Sequence, residues 1–346
     1  VVDKIQEYFL MKSWCSWIGV IGVCLTAGLF AQTPDDPTHD YHLPDSVAAH
    51  YLNHSLADAR TLALKLTTPF SGEHQKYRAI FRWVCANIRS DYSLYAKVKQ
   101  MRKRYSSDPT ALAIWNQKFN HELFEQLRKK RSTVCTGYAY LIRTLAQHAG
   151  IRCEIVDGYA RNSQSNLGGP GIANHSWNAV RLDSTWYLSD ATWASGQVYG
   201  PEGFYIPHFE ELYFLVAPES FARSHYPLDT AQLFHSNKQS LSDFLHAPLA
   251  YAANYKYRLE PVSHPSFFIM VNKDDAVPFV IQKVSNKSIQ QLTLQANDDV
   301  IVFSERGCEN AVRNYQCTYK FNRRGMSVVH VVADGHPVFS YRVKVK

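Results

Sequence analysis

The chain has 346 residues, 46% hydrophobic and 19% charged, which is the balance of an ordinary globular protein with enough length for two domains and a sizeable core. Its formal net charge is +7. No stretch in the body of the sequence is long and apolar enough to read as a membrane span.

The N-terminus reads differently. After MKSW comes CSWIGVIGVCLTAGLFAQ, a short apolar run behind a lysine, the pattern of a secretory signal peptide that starts at Met11 and is cleaved near Ala31. Asp3 and Glu7 fit poorly in such a peptide, so the residues before Met11 read as an upstream mis-start. Lipid attachment at Cys24 is disfavoured by the bulk of Val23. Residues 1–31 are therefore expected to be a leader to a secreted or periplasmic protein, and the proline-bearing stretch 32–44 a linker. Five cysteines then remain, an odd number, so at least one thiol stays unpaired within the chain. Cys308 and Cys317 close a short loop and could pair in an oxidising compartment, or stand as two unrelated thiols.

Helical patterns follow the linker. In KYRAIFRWVCANI, Tyr77, Ile80, Phe81, Val84 and Ile88 make one core-facing stripe, with Cys85 packed at its border. Between Lys97 and Arg131, ten basic residues meet only Asp108, Glu122 and Glu125, which accounts for the whole excess of positive charge. Nucleic-acid binding would call for a recognised fold or interleaved stacking aromatics. The expected roles are a solvated face, or attraction of an acidic substrate or an anionic envelope surface. Part of this segment, LAIWNQKFNHELFEQL, is predicted helical.

Next comes STVCTGYAYLIRTLAQHAGI. Ala139, Ile142, Leu145, Ala146 and Ala149 recur at helical spacing, and Gly150 suits a left-handed cap. Cys135 then stands at the helix N-terminus, where the dipole favours the reactive thiolate. The period switches to two in IRCEIVDGY, a strand with Cys153 on its apolar side. HSWNAVRL and TWYLSDAT flank Asp183 and Ser184, a two-residue hairpin signal. From about Leu241, short β-rich runs alternate with turn residues at sandwich-like spacing.

The hairpin register carries the chemistry. With the turn between Asp183 and Ser184, Leu182 faces Thr185 and Trp177 faces Asp190. His175 then shares a face with Asp190 and lies diagonal to it, close enough for a His–Asp hydrogen bond. A slip of one residue would put Asp190 on the other face. A thiol on a helix tip and an imidazole held by a carboxylate are the parts of a Cys-His-Asp triad.

TVCTGYA followed by NHSWNAVRLDSTWYLSDATW resembles the transglutaminase-like superfamily of papain-like cysteine enzymes. YFLVAPESFARSHYP is similar to the kyphoscoliosis-peptidase-type branch. The resemblance covers about residues 55–230. It implies Cys135 as nucleophile, His175 as general base and acid, and Asp190 as orienter. Thr133 departs from the pattern, which commonly has glycine there. One oxyanion donor is the Cys135 N–H; the other is not placed, since neither Trp83 nor Trp115 sits in a matching motif.

The fold class expected is α+β: a papain/transglutaminase-like core of helices on an antiparallel sheet (45–235), then an all-β immunoglobulin-like sandwich (250–346). The sandwich is expected to be antiparallel and to place no titratable cluster near Cys135. The function expected is acyl transfer on peptide or glutamine amides through a thioester, with peptidase-like hydrolysis foremost and cross-linking or deamidation as alternatives. The rival from another class is a non-catalytic binding module with a relic triad. A protein or peptide substrate is implied. No metal or organic cofactor is, because no His/Cys cluster has zinc spacing.

Overall fold

The computed structural model describes residues 40–105, 107–200, 202–236, 239–309 and 312–346. The leader reading of residues 1–31, Cys24 included, lies outside them. Helix α1 (His42–His50) starts inside the stretch expected to be linker. Pro44 is tolerated there because the first turn has no acceptor for its missing N–H. Asp45, next in line, holds the buried guanidinium of Arg78 at 2.7 Å.

Helices α2 (Ala59–Thr67) and α3 (Glu73–Asn87) follow. The α3 stripe buries as its spacing predicts: Tyr77, Ile80, Phe81 and Val84 are fully buried in one core with Ile142, Leu145 and Val180. Strand β1 (Arg89–Ser90) then pairs in parallel with β2 (Ser132–Thr133). Between them run α4 (Tyr92–Arg104) and α5 (Pro109–Lys130), which carry most of the basic segment and whose Leu94, Val98, Phe119 and Leu123 form a small core with Val134. Helix α6 (Cys135–His148) leaves β2 directly, and Gly150 beyond it takes the left-handed conformation foreseen, φ 76°.

A four-stranded antiparallel sheet comes next: β3 (Arg152–Ala160), β4 (His175–Leu182), β5 (Thr185–Ser189) and, later in the chain, β8 (His225–Pro227), in the order β5-β4-β3-β8. Cys153, Val180 and Leu182 on one face share a cluster with α6; Val156, Trp177 and Ala179 on the other pack with Phe221 and Tyr255. Because both faces are covered, β3 does not show the simple alternation expected: Val156 is fully buried, whereas Ile155 is only half-buried. Helix α7 (Ala191–Ser195), the hairpin β6 (Gly196–Tyr199) with β7 (Phe204–Pro207), helix α8 (Pro218–Phe221) and β8 (His225–Pro227) complete this part.

After α9 (Leu241–His246), β9 (Leu249–Ala250) and α10 (Ala253–Tyr257), the chain is all strand. Strands β10 (Leu259–Pro261), β12 (Ala276–Lys283), β15 (Ser304–Glu309) and β16 (Val312–Lys320) form one sheet. Strands β11 (Phe268–Val271), β13 (Leu292–Ala296), β14 (Asp299–Val302), β17 (Gly325–Ala333) and β18 (His336–Val345) form another, with β9 at the side of β18. Phe279 and Ile281 of the first share an apolar cluster with Val331 and Tyr341 of the second. The arrangement is not wholly antiparallel, since β11 runs parallel to β18.

No Cys308–Cys317 disulfide forms. The register sets Cys308 opposite Arg313, four residues along β16 from Cys317, and Cys317 is a free thiol. At about 3.3 Å per residue that offset is roughly 13 Å, beyond the reach of a disulfide. Among the described residues, no helix is long and apolar enough to cross a membrane.

Candidate active site

Cys135 is the first residue of α6. The preceding Val134 is extended and offers no side-chain cap, so no capping side chain blocks the N–H of Cys135 where the thiol sits. Thr133 explains how the turn tolerates its unusual residue. It is fully buried, and a Cβ on Gly137 would fall 1.9 Å from its Oγ1. The side chain added at position 133 fills the space left by the absent one at 137.

The β4–β5 register is the one the two-residue turn implies: Leu182 opposite Thr185, Ala179 opposite Leu188 and Asn178 opposite Ser189. Asp183 and Ser184 both take positive φ, as the tight hairpin turn requires. Asp190 follows β5 and caps α7, accepting from the N–H groups of Thr192 and Trp193 through Oδ1. Its Oδ2 lies 2.7 Å from His175 Nε2. Ending the strand, capping the helix and holding the histidine are thus done by one carboxylate.

The structure brings Cys135, His175 and Asp190 together, all buried. With Nε2 committed to Asp190, the other ring nitrogen of His175 is left for the Cys135 thiol, with which the imidazole is hydrogen-bonded. Burial pushes the thiol up. The His175 hydrogen bond and charge, then the charge of Arg102 and the Ser176 N–H, outweigh it and bring Cys135 down to about 7. Burial likewise works against the His175 charge, but Asp190 and then Cys135 raise the imidazole to about 10. Asp190 is held well below the usual carboxylate range because His175 and His225 outweigh its burial. A thiolate–imidazolium pair is therefore well populated near neutral pH. Cys85 and Cys153, buried without such partners, are pushed well up.

A fourth residue went unnoticed in the sequence. His225 on β8 lies opposite Ala160, as His175 lies opposite Gly158, so both rings project from one face of the sheet. His225 Nε2 is 3.3 Å from Asp190 Oδ2. Gly158 makes the crowding possible: a Cβ there would meet the Tyr226 carbonyl oxygen at 2.1 Å and the Trp177 ring at 2.7 Å. The available signal was the SHYP sequence after a strand-forming stretch, but only the sheet order reveals its neighbour. Tyr255 on α10 hydrogen-bonds Ser224, which bonds His225 Nδ1 at 2.7 Å. This phenol comes from beyond residue 250, because α10 packs on the same sheet face as Trp177.

His175, Asp190 and His225 also present donor atoms within 4.8 Å of one another, a grouping that linear spacing did not reveal. Those atoms are engaged with each other. Asp190 accepts four N–H bonds and His225 Nδ1 is taken by Ser224, so a cation would have to displace hydrogen bonds already made.

The basic segment is placed differently from its sequence proximity. Arg131 is a left-handed cap on α5 whose guanidinium serves the carbonyls of Asn53 and His54, and Lys129 and Arg128 pair with Glu125. The cation that acts on Cys135 is Arg102 of α4. Trp83 donates to the Tyr51 carbonyl, and Trp115 stacks on Phe119. Neither serves Cys135.

Residues 60–191, which contain all three of Cys135, His175 and Asp190, match the Transglutaminase-like superfamily. The kyphoscoliosis peptidases of Mus musculus and Homo sapiens are each 30% identical over 172 residues, 49% of this chain and 23% of theirs. The Lim and transglutaminase domain protein ltd-1 of Caenorhabditis elegans is 20% identical over 230 residues, 62% of this chain and 28% of its own. The chain thus spans about a quarter of the length of the curated relatives it matches.

Proposed function

We propose that this transglutaminase-like chain is a cysteine acyl-transfer enzyme acting on peptide or glutamine amides, with hydrolysis as its main outcome. The observation that carries the reading is the buried chain Cys135–His175–Asp190, with the thiol near 7 and the imidazole near 10. The Cys135 thiolate attacks the amide carbon. The oxyanion is met by the Cys135 N–H, which has no acceptor within its helix. His175 gives its proton to the departing nitrogen, the C–N bond breaks, and a thioester remains. His175, now neutral, takes a proton from the incoming nucleophile, and Asp190 keeps the ring in the tautomer that both steps need. Water as nucleophile yields a cleaved peptide or a deamidated glutamine; a lysine amine yields a cross-link. Similarity to the kyphoscoliosis peptidases supports hydrolysis.

The apolar run behind Met11 supports a secreted or periplasmic site of action, and the shared core of the two C-terminal sheets supports an immunoglobulin-like accessory part at 250–346. The deciding experiment is mass spectrometry of amide-bearing peptides, with and without a lysine donor, incubated with the protein and with Cys135→Ala. Cleavage lost in Cys135→Ala supports the reading. No change in any peptide overturns it, and cross-linked masses alone would reassign the acceptor.

A further inference from the structure

The chain of hydrogen bonds does not stop at Asp190. His225 is fully enclosed, stacked on Phe221 at a ring separation of 4.0 Å. In the neutral ring its two nitrogens take opposite roles. Ionised Asp190 can only accept, so Nε2 carries the proton and donates to Oδ2. Nδ1 must then accept from the Ser224 hydroxyl, and that oxygen in turn accepts from the Tyr255 phenol. Every donor has one acceptor, in one direction, from Tyr255 through Ser224 and His225 to Asp190. The titratable groups around His225 are Asp190, His175 and, through Ser224, Tyr255. Burial, more than its neighbours, holds His225 down to about 4, in keeping with a neutral ring.

We propose that His225 is a positioning residue: as a neutral donor it fixes the Asp190 oxygen that His175 uses, and Ser224 and Tyr255 fix its tautomer. This rests on the acyl-transfer reading above. Asp190 Oδ2 serves two histidines on different strands. With the His225 bond removed, the carboxylate is tied on that side only to His175 and is free to turn away from it. The imidazolium then loses part of its partner, and the thiolate loses part of its imidazolium. Tyr255 lies in α10, which packs against β18, so the orientation of the carboxylate depends on a part of the chain outside the matched segment.

The test needs no substrate. The rate of Cys135 alkylation by iodoacetamide is followed against pH by intact mass, for the parent, His225→Phe, His225→Gln, Ser224→Ala and Tyr255→Phe. Phenylalanine keeps the ring stack and removes the donor; glutamine restores a neutral N–H near the Nε2 position. The parent should inflect near pH 7. His225→Phe should move the inflection up by about one pH unit, about a fivefold slower reaction at pH 7, and His225→Gln should recover most of it. Ser224→Ala and Tyr255→Phe should shift it in the same direction by a smaller amount, and Ser224→Ala should add nothing in the His225→Phe background. A folded His225→Phe with the parental inflection overturns the inference while leaving the function proposed above intact. A parent whose Cys135 does not react near neutrality overturns both. Should His225→Phe fail to fold, the isosteric Tyr255→Phe decides: a parental inflection refutes the chain, and an upward shift upholds it.

Discussion

Replacing Asp190 by asparagine isolates the charge from the shape. Asparagine is as good a helix cap as aspartate, so its carbonyl can keep the Thr192 and Trp193 N–H groups and α7 should persist. The amide nitrogen would instead face two histidine N–H groups, donor against donor. His175 can relieve this only by moving its proton to the ring nitrogen beside Cys135, the wrong form for a base. The imidazole stands at about 10 against an ordinary 6.5, with Asp190 the largest influence raising it against burial. That difference is worth about 5 kcal/mol at about 1.4 kcal/mol per pH unit. Without it His175 is neutral at pH 7, and Cys135 rises from about 7 to its ordinary 9.0 or above. The thiolate fraction at pH 7 then falls from about half to about one per cent, so alkylation of Cys135 should slow at least about 50-fold. Intact-mass kinetics at several pH values reads this directly, with circular dichroism to check the fold. An Asp190→Asn protein that is folded and still inflects near pH 7 would refute the charge chain argued here.

Cys135 should alkylate well ahead of Cys85 and Cys153 in the folded protein at pH 7, because only its thiol lies near neutrality; peptide mapping showing equal labelling would contradict this. Stability should fall on acidification. The unfolded chain binds a proton at His225 below about 6.5 and the folded one only near 4, so about 3 kcal/mol present above that window is lost across it. His225→Gln should flatten that slope in urea melts at stepped pH. His175 acts on the other side: its contribution is full below 6.5 and is lost as pH rises through about 10. Gly158→Ala should cost about 3 kcal/mol or more in thermal melts, since the new methyl meets the Tyr226 carbonyl and the Pro227 backbone. Arg102→Gln should raise the Cys135 inflection, whereas Lys129→Gln with Lys130→Gln should leave it unchanged.

Local pattern carried the helices, the β4–β5 register and the three residues Cys135, His175 and Asp190, because each signal sits within one turn or one hairpin. The α3 stripe and the Asp183–Ser184 turn are of that kind. His225 was illegible for the opposite reason. It reaches Asp190 only because β8 returns to pair with β3, a contact between strands far apart in sequence with no periodic signature. Arg131 stands four residues before Cys135, but its left-handed conformation turns the side chain toward Asn53 and His54. Cys308 and Cys317, left open by sequence as a disulfide or two unrelated thiols, are offset along the β15–β16 register.

The parallel pairing of β1 with β2 sets a rule for what can be trimmed from this protein. Arg89 N–H bonds the Arg131 carbonyl and Asp91 N–H the Thr133 carbonyl, both at 2.9 Å, immediately before the Cys135 helix. Two parallel strands cannot be joined by a tight turn; the chain must cross over, which takes about a dozen residues or more. The α4–α5 excursion therefore has a minimum length, and it is tied to the site through Val134, which shares its small core, and through Arg102, whose charge acts on Cys135. A shorter single helix grafted between Ser90 and Ser132 should carry the chain across, while a hairpin turn at the same points would pull Cys135 from its place. Variation in length and charge can accumulate in that crossover where Arg102 and the residues packed on Val134 are kept.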